Sequence, residues 1–336
     1  MTRTLLTLAG VATLALTGPP GLTVNPTLSA QDVIDQGVTP APSLIPAEAV
    51  WGVVFDPAKI RDSALARQTL DRLDPAQRDG LNQKLDGLSN TLGINLRQDL
   101  GRVAAFGHGF NPQDMALAVD IGQAEANLEG LILAAPGYDS YEYNELIIHS
   151  LQESAEEPRL HCAVVPGGDD RNGVVIVSPA AQLTEGLVDQ AQQGTAVADP
   201  ATLGQDEFLR VWIDKLPAEM FGPESQQSKV LSMIQSIELV GTTNAEQTAM
   251  SLSITTANPA RARQIYQMAA GGKAFIEFAA TEDPDAAKLA DLLAYITIDN
   301  PDGGAVVSIR AAAGTDDLAV LLDLLDEQGA FDELAQ

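Results

Sequence analysis

Cysteine is all but missing. Cys162 is the only one, so no intramolecular disulfide can form and packing alone must hold the fold. Aromatic residues make up 4% of the 336 positions, and the histidines are three, His108, His149 and His161. Basic residues are few: 19 Lys plus Arg stand against 46 Asp plus Glu, a formal net charge of -27. Binding to a phosphate backbone rests on Lys and Arg, and a field of this sign repels polyanions within a Debye length. Nucleic acid is therefore excluded as a partner and anionic lipid is disfavoured. Nor does any apolar run reach the roughly 20 residues that a membrane-spanning helix needs.

The signatures of common chemistries are missing too. There is no HExxH helix and no Gly-x-Ser-x-Gly elbow. Gly271, Gly272, Lys273 and Ala274 match only the end of a phosphate-binding loop: the earlier glycine is missing and Ala274 stands where a Ser or Thr should hold magnesium. A helix end with glycine caps accounts for them better. Two oxygen-rich turns, one with Asp169, Asp170 and Asn172 and one with Asp299, Asn300 and Asp302, lack the closing glutamate of a calcium loop. Asp, Asn and Gly dominate turns for backbone reasons, and these are read as turns. His108, between Gly107 and Gly109, reads as the end of a strand. His149 and His161 fall on neighbouring predicted strands, where a cross-strand pair with Cys162 or Glu145 would begin a metal site. Cys162 follows His161 directly, however, so the two side chains point to opposite faces. No catalytic residue, cofactor or metal is assigned on these grounds.

What is present begins with a leader. Arg3 precedes a largely apolar run over residues 5–16 that stops at Gly18, Pro19 and Pro20, the pattern of a secretory signal. The expected cleavage follows Ala30, leaving residues 31–46 as a Pro-, Thr- and Asp-containing linker. An uncleaved leader would instead tether the chain, and is the one route to membrane contact. The expected location is thus periplasmic or extracellular.

From there on, helix and strand signals alternate. Asp56-Pro57, Asp74-Pro75, Ser178-Pro179, Asn258-Pro259 and Asp283-Pro284 each set a capping side chain before a proline, the residue that loses nothing at the first helical position. Apolar stripes at helical spacing follow, among them Leu81, Leu85, Leu88 and Leu92, then Leu183, Leu187, Val188 and Ala191, then Ala262, Ile265, Tyr266 and Ala269, then Leu318, Leu321, Leu322 and Leu325. Met250, Leu252 and Ile254 alternate with Ser251, Ser253 and Thr255, which marks an antiparallel strand with one polar face. Further strands are expected at 50–55, 103–108, 115–121, 143–149, 160–165, 174–177, 208–213, 237–240, 294–298 and 305–309. The predicted class is α+β, with antiparallel sheets covered by helices. The order of elements over 47–200 recurs over 201–336, with the hairpin 237–255 matching 103–121, so two related halves in tandem are expected.

Residues 45–57, IPAEAVWGVVFDP, resemble the opening of a group of uncharacterised exported bacterial proteins. The resemblance implies a duplicated α+β unit and an envelope location, and carries no site residue. Tyr138, Tyr141 and Tyr143, beside Asp139 and Glu142, are the candidate contact patch. The functional expectation is a non-enzymatic protein that binds an envelope partner through its sheet faces or these tyrosines. Its rivals are a small-ligand carrier using a cleft between the halves and a metal-assisted hydrolase whose site is built from scattered residues.

Overall fold

The computed structural model describes residues 45–46, 48–61, 63–73, 75–92, 95–121, 130, 132–133, 137–152, 156, 158–167, 173–193, 203–214, 232–244, 247–300, 303–314, 317–318 and 320. The leader, the linker up to residue 44, Asp169, Asp170, Asn172, Asp302, and Leu321, Leu322 and Leu325 lie outside them. The fold is α+β, with twelve strands and six α-helices among the described residues.

The chain divides into two compact units. Unit 1 comprises Met1–Asp62 and Leu73–Thr202, and unit 2 comprises Ser63–Arg72 and Leu203–Gln336. In chain order, β1 (Trp51–Phe55) is followed by the short helix α1 (Pro57–Arg61), by α2 (Ala64–Arg72), which groups with unit 2, and by α3 (Pro75–Leu92). Then come β2 (Val103–Gly107), β3 (Met115–Asp120), β4 (Asp139–Tyr143), β5 (Leu146–Leu151), β6 (Leu160–Val165), β7 (Val174–Ser178) and α4 (Ala181–Gln193). The unit 1 sheet runs β1-β2-β3-β7-β6-β5-β4, with every neighbouring pair antiparallel.

Unit 2 holds β8 (Glu207–Ile213), β9 (Ile234–Thr243), β10 (Gln247–Thr256), α5 (Pro259–Ala279), α6 (Pro284–Ala294), β11 (Ile296–Asp299) and β12 (Val306–Gly314). Its strands run β8-β9-β10-β12-β11, again all antiparallel. Helix α5 covers one face: Ala262 and Ile265 pack with Ile254 of β10 and Val307 of β12. The other face carries Ser251, Ser253 and Thr255, opposite Arg310, Ser308 and Val306, as an antiparallel sheet wetted on one side should. Leu65 of α2 packs with Ala313, Leu318 and Tyr295, which ties this early helix to residues more than 200 positions later.

Two of the expected caps set helix starts directly. Asp56 accepts from the Ala58 amide at 3.1 Å, and Asn258 from the Arg261 amide at 3.1 Å, with Pro57 and Pro259 opening α1 and α5. Ser178 departs from the expectation. It belongs to β7, paired with His161, and its Oγ accepts from the Ala180 amide while donating to Met115 O, so the helix begins at Ala181 rather than at Pro179.

Two further expectations are corrected. Residues 143–149 are not one strand: Asn144 and Glu145, at φ 46° and 65°, form a two-residue turn between β4 and β5. Paired left-handed residues suit the right-handed twist of a hairpin, and Asn tolerates that region. Gly271 and Gly272 do not end a helix but lie inside α5. Each glycine costs a helix about 1 kcal/mol. Here the helix is held beyond them, because Lys273 Nζ donates to Leu293 O at 2.7 Å and Ile296 O at 2.6 Å, which satisfies carbonyls where α6 ends.

Candidate interaction surface

The edge of the unit 1 sheet is built by the β4–β5 hairpin. Gly137 leads into it at φ 62°, and a Cβ there would stand 2.3 Å from Gln152 O, so only glycine allows β4 to enter this close to the chain leaving β5. On β4, Tyr141 and Tyr143 share a face. Their hydroxyls donate to Glu185 at 2.9 Å and to Asp189 at 3.0 Å, both on α4. The match is one of spacing: carboxylates one turn apart on a helix are separated by about 6 Å, close to the roughly 6.6 Å between alternate strand residues. Asn144 Nδ2 donates to the second oxygen of Asp189 at 2.6 Å, and Gln192 Nε2 donates to Asn144 O at 2.9 Å. Burial, together with the Glu185 carboxylate, pushes the Tyr141 phenol up to about 12; the bond to Asp189 raises that of Tyr143. Both phenols therefore remain donors to α4, and this bonding fixes which sheet face α4 covers.

Tyr138 is turned the other way. Its hydroxyl lies 3.1 Å from His149 Nδ1, with the rings tilted and 5.8 Å apart. His149 pairs directly with Cys162, and both are buried on this second face. The Cys162 thiol is pushed up to about 12 by burial. His161 pairs instead with Ser150, whose Oγ is 3.0 Å from its Nδ1, on the α4 face. Burial and the nearby Arg159 lower the pKa of His161. The cross-strand His149–His161 pair weighed from the sequence is thus not formed, because the register sets the two histidines one step apart and on opposite faces. Glu145 is exposed in the hairpin turn, away from both. Among the described residues, no three His, Cys, Asp or Glu side chains gather as a metal site. His108 is exposed just beyond β2, where its amide donates to Asp114 O at 3.1 Å and closes a turn. Asn300, in the other oxygen-rich turn, uses Nδ2 to donate to Gly304 O and Val306 O.

The sheet register exposes a contrast that sequence periodicity alone did not reveal. Followed across the strands, one lateral row reads Val54, Ala104, Ala118, Ile176, Ala163 and Ile148. It lies on the α4 face and is buried apart from the half-covered Ala104. The adjacent row reads Val53, Ala105, Leu117, Val177, Cys162 and His149 on the second face. From Val53 to Val177 its side chains are only half-buried. Trp51 and Phe55 extend this face along β1; the Trp51 indole donates to Gly109 O at 2.8 Å and lies over Gly107, where a Cβ would meet it at 2.5 Å. A sheet face turned to solvent is ordinarily polar, whereas over β1, β2, β3 and β7 this one is apolar and only half-covered, becoming buried at Cys162 and His149.

No protein-family model matches the chain, and no curated protein does. Among solved structures, crystal form I of TP0453 is matched at 11% identity with a TM-score of 0.41, over 86% of this chain and 99% of that one. Crystal form III of TP0453 gives 11% identity and 0.38, over 84% and 97%. Among the described residues no helix is long and apolar enough to cross a membrane.

Proposed function

We propose that the chain is an exported, non-enzymatic protein that binds an apolar surface of an envelope partner on the second face of the unit 1 sheet. The observation that carries this reading is the half-buried apolar row from Val53 to Val177, where a solvent face would be polar. Tyr141 and Tyr143 take a positioning role in this reading: held by α4, they brace the edge hairpin rather than meet a partner. Tyr138 remains at the rim of the binding face, over His149. The apolar run at residues 5–16 supports export, and so a periplasmic or extracellular partner.

A duplication of one α+β unit is part of the same proposal. Each unit opens with three successive strands paired antiparallel, β1-β2-β3 or β8-β9-β10, and in each the last strand, β7 or β12, pairs with the third. In this view the two copies diverged on one face: Ser251 and Ser253 keep it polar in unit 2, while Leu117 and Val119 make it apolar in unit 1.

The test is photo-crosslinking in intact cells with a benzophenone amino acid placed at Leu117 or Val177, and at Ser253 as control. Adducts to one envelope protein from the first two positions, none from the third, are the expected result. Equal labelling at all three, or none anywhere, would reject the face as a binding surface.

A further inference from the structure

Helix α5 carries a second apolar surface, independent of the first. Its inward side, Ala262 and Ile265 with Tyr266, packs on the unit 2 core. Its outward side should be polar, yet Met268 is 55% exposed, Phe275 71% and Phe278 73%. Met268 and Phe275 are two helical turns apart, as are Gly271 and Phe278, so the four lie along one stripe. Gly271 and Gly272 open a gap in its middle, where an added Cβ would meet nothing within 4 Å. The ends differ in charge: exposed Arg261 and Arg263 at the start, exposed Glu282 and Asp283 just past the end.

From this arrangement we infer that α5 is a self-association surface, on which a second copy of the chain docks its own α5 antiparallel, about a two-fold axis near Gly271 and Gly272. Such an axis sets Met268 of one copy against Phe275 of the other, beside the gap that the glycines leave. It also brings the Arg261 end of each helix to the Glu282 end of its mate. A parallel pairing would instead bring like charges together and align the helix dipoles unfavourably. The isologous contact closes on itself and gives a dimer, not a fibre. A lipid surface is the poorer occupant: bilayer contact gains nothing from two glycines that weaken the helix, whereas close approach of two backbones requires small residues at the crossing. The formal charge of -27 also opposes anionic bilayers.

The experiment uses the full mature chain, in which the native Cys162 is buried and silent. Sedimentation should show a reversible dimer, lost in Phe275→Glu. Arg261→Glu should weaken it roughly fivefold, and adding Glu282→Arg to the same chain should restore it. Mixed Met268→Cys and Phe275→Cys chains should form disulfides with each other in preference to themselves. A monomer at every concentration would overturn the inference, as would self-crosslinking of each cysteine variant, which marks a parallel pair. Phe275-dependent capture of monomer by phosphatidylcholine vesicles, with no disulfide between chains, would assign the stripe to lipid and overturn it equally.

Discussion

Asp120 is the most strongly perturbed carboxylate among the described residues that sit on the unit 1 sheet. It ends β3 almost fully buried, and burial lifts its pKa from 3.8 to about 6 even though Arg102 approaches to 3.3 Å and pulls the other way. The folded state therefore holds this proton more tightly than the unfolded chain does. Its contribution to stability is greatest below pH 3.8 and is lost as pH rises through 6, a swing of about 3 kcal/mol. Asp120→Asn removes the titration. Urea unfolding free energies of the two proteins should lie closest at pH 3.5 and diverge toward pH 7, where the wild type has lost about 3 kcal/mol relative to the variant. Parallel pH profiles would show that Asp120 titrates normally. Gly101 belongs to the same device, because a Cβ there would stand 2.7 Å from the Asp120 Cβ.

Single elements decide how the edge of unit 1 is held. Gly137→Ala combines a left-handed backbone with a clash against Gln152 O, and is expected to cost about 2 kcal/mol or more. The loss should appear first as faster hydrogen exchange in β4 and β5; unchanged exchange there would mean that the entry to β4 relaxes freely. Elements of this kind also mark the limit of what the sequence discloses. The alternation of Met250, Leu252 and Ile254 and the cap Asn258-Pro259 announce β10 and α5 because local pattern and tertiary burial agree. The hairpin at Asn144 and Glu145 was hidden because no glycine marks it: a pair of left-handed residues is usually signalled by Asn-Gly, and here Asn144 is followed by glutamate. Gly271 and Gly272 misled for the opposite reason, as local breakers overruled by Lys273 and by packing at a distance. The apolar face of unit 1 was beyond reach, since its row is assembled from four strands and exists only once the register is known.

For the molecule as a whole, a net charge of -27 spread along the chain makes self-repulsion a standing cost and leaves cohesion to the two apolar cores. The cores separate by unit rather than by sequence, because α2 is built from residues 64–72 and yet groups with unit 2. Leu65→Ala should therefore loosen a distant part of the chain, by about 1–2 kcal/mol. Hydrogen exchange should quicken in β10 and β12 and stay unchanged in β6 and β7; the reverse pattern would detach α2 from unit 2. The same placement has a consequence in time. A chain emerging amino terminus first exposes Leu65 well before Ala313 and Leu318, which cover it and are made about 250 residues later. Unit 2 cannot finish until β12 and Leu318 have been delivered, so the helix made before them waits, uncovered, for these later residues to close over it.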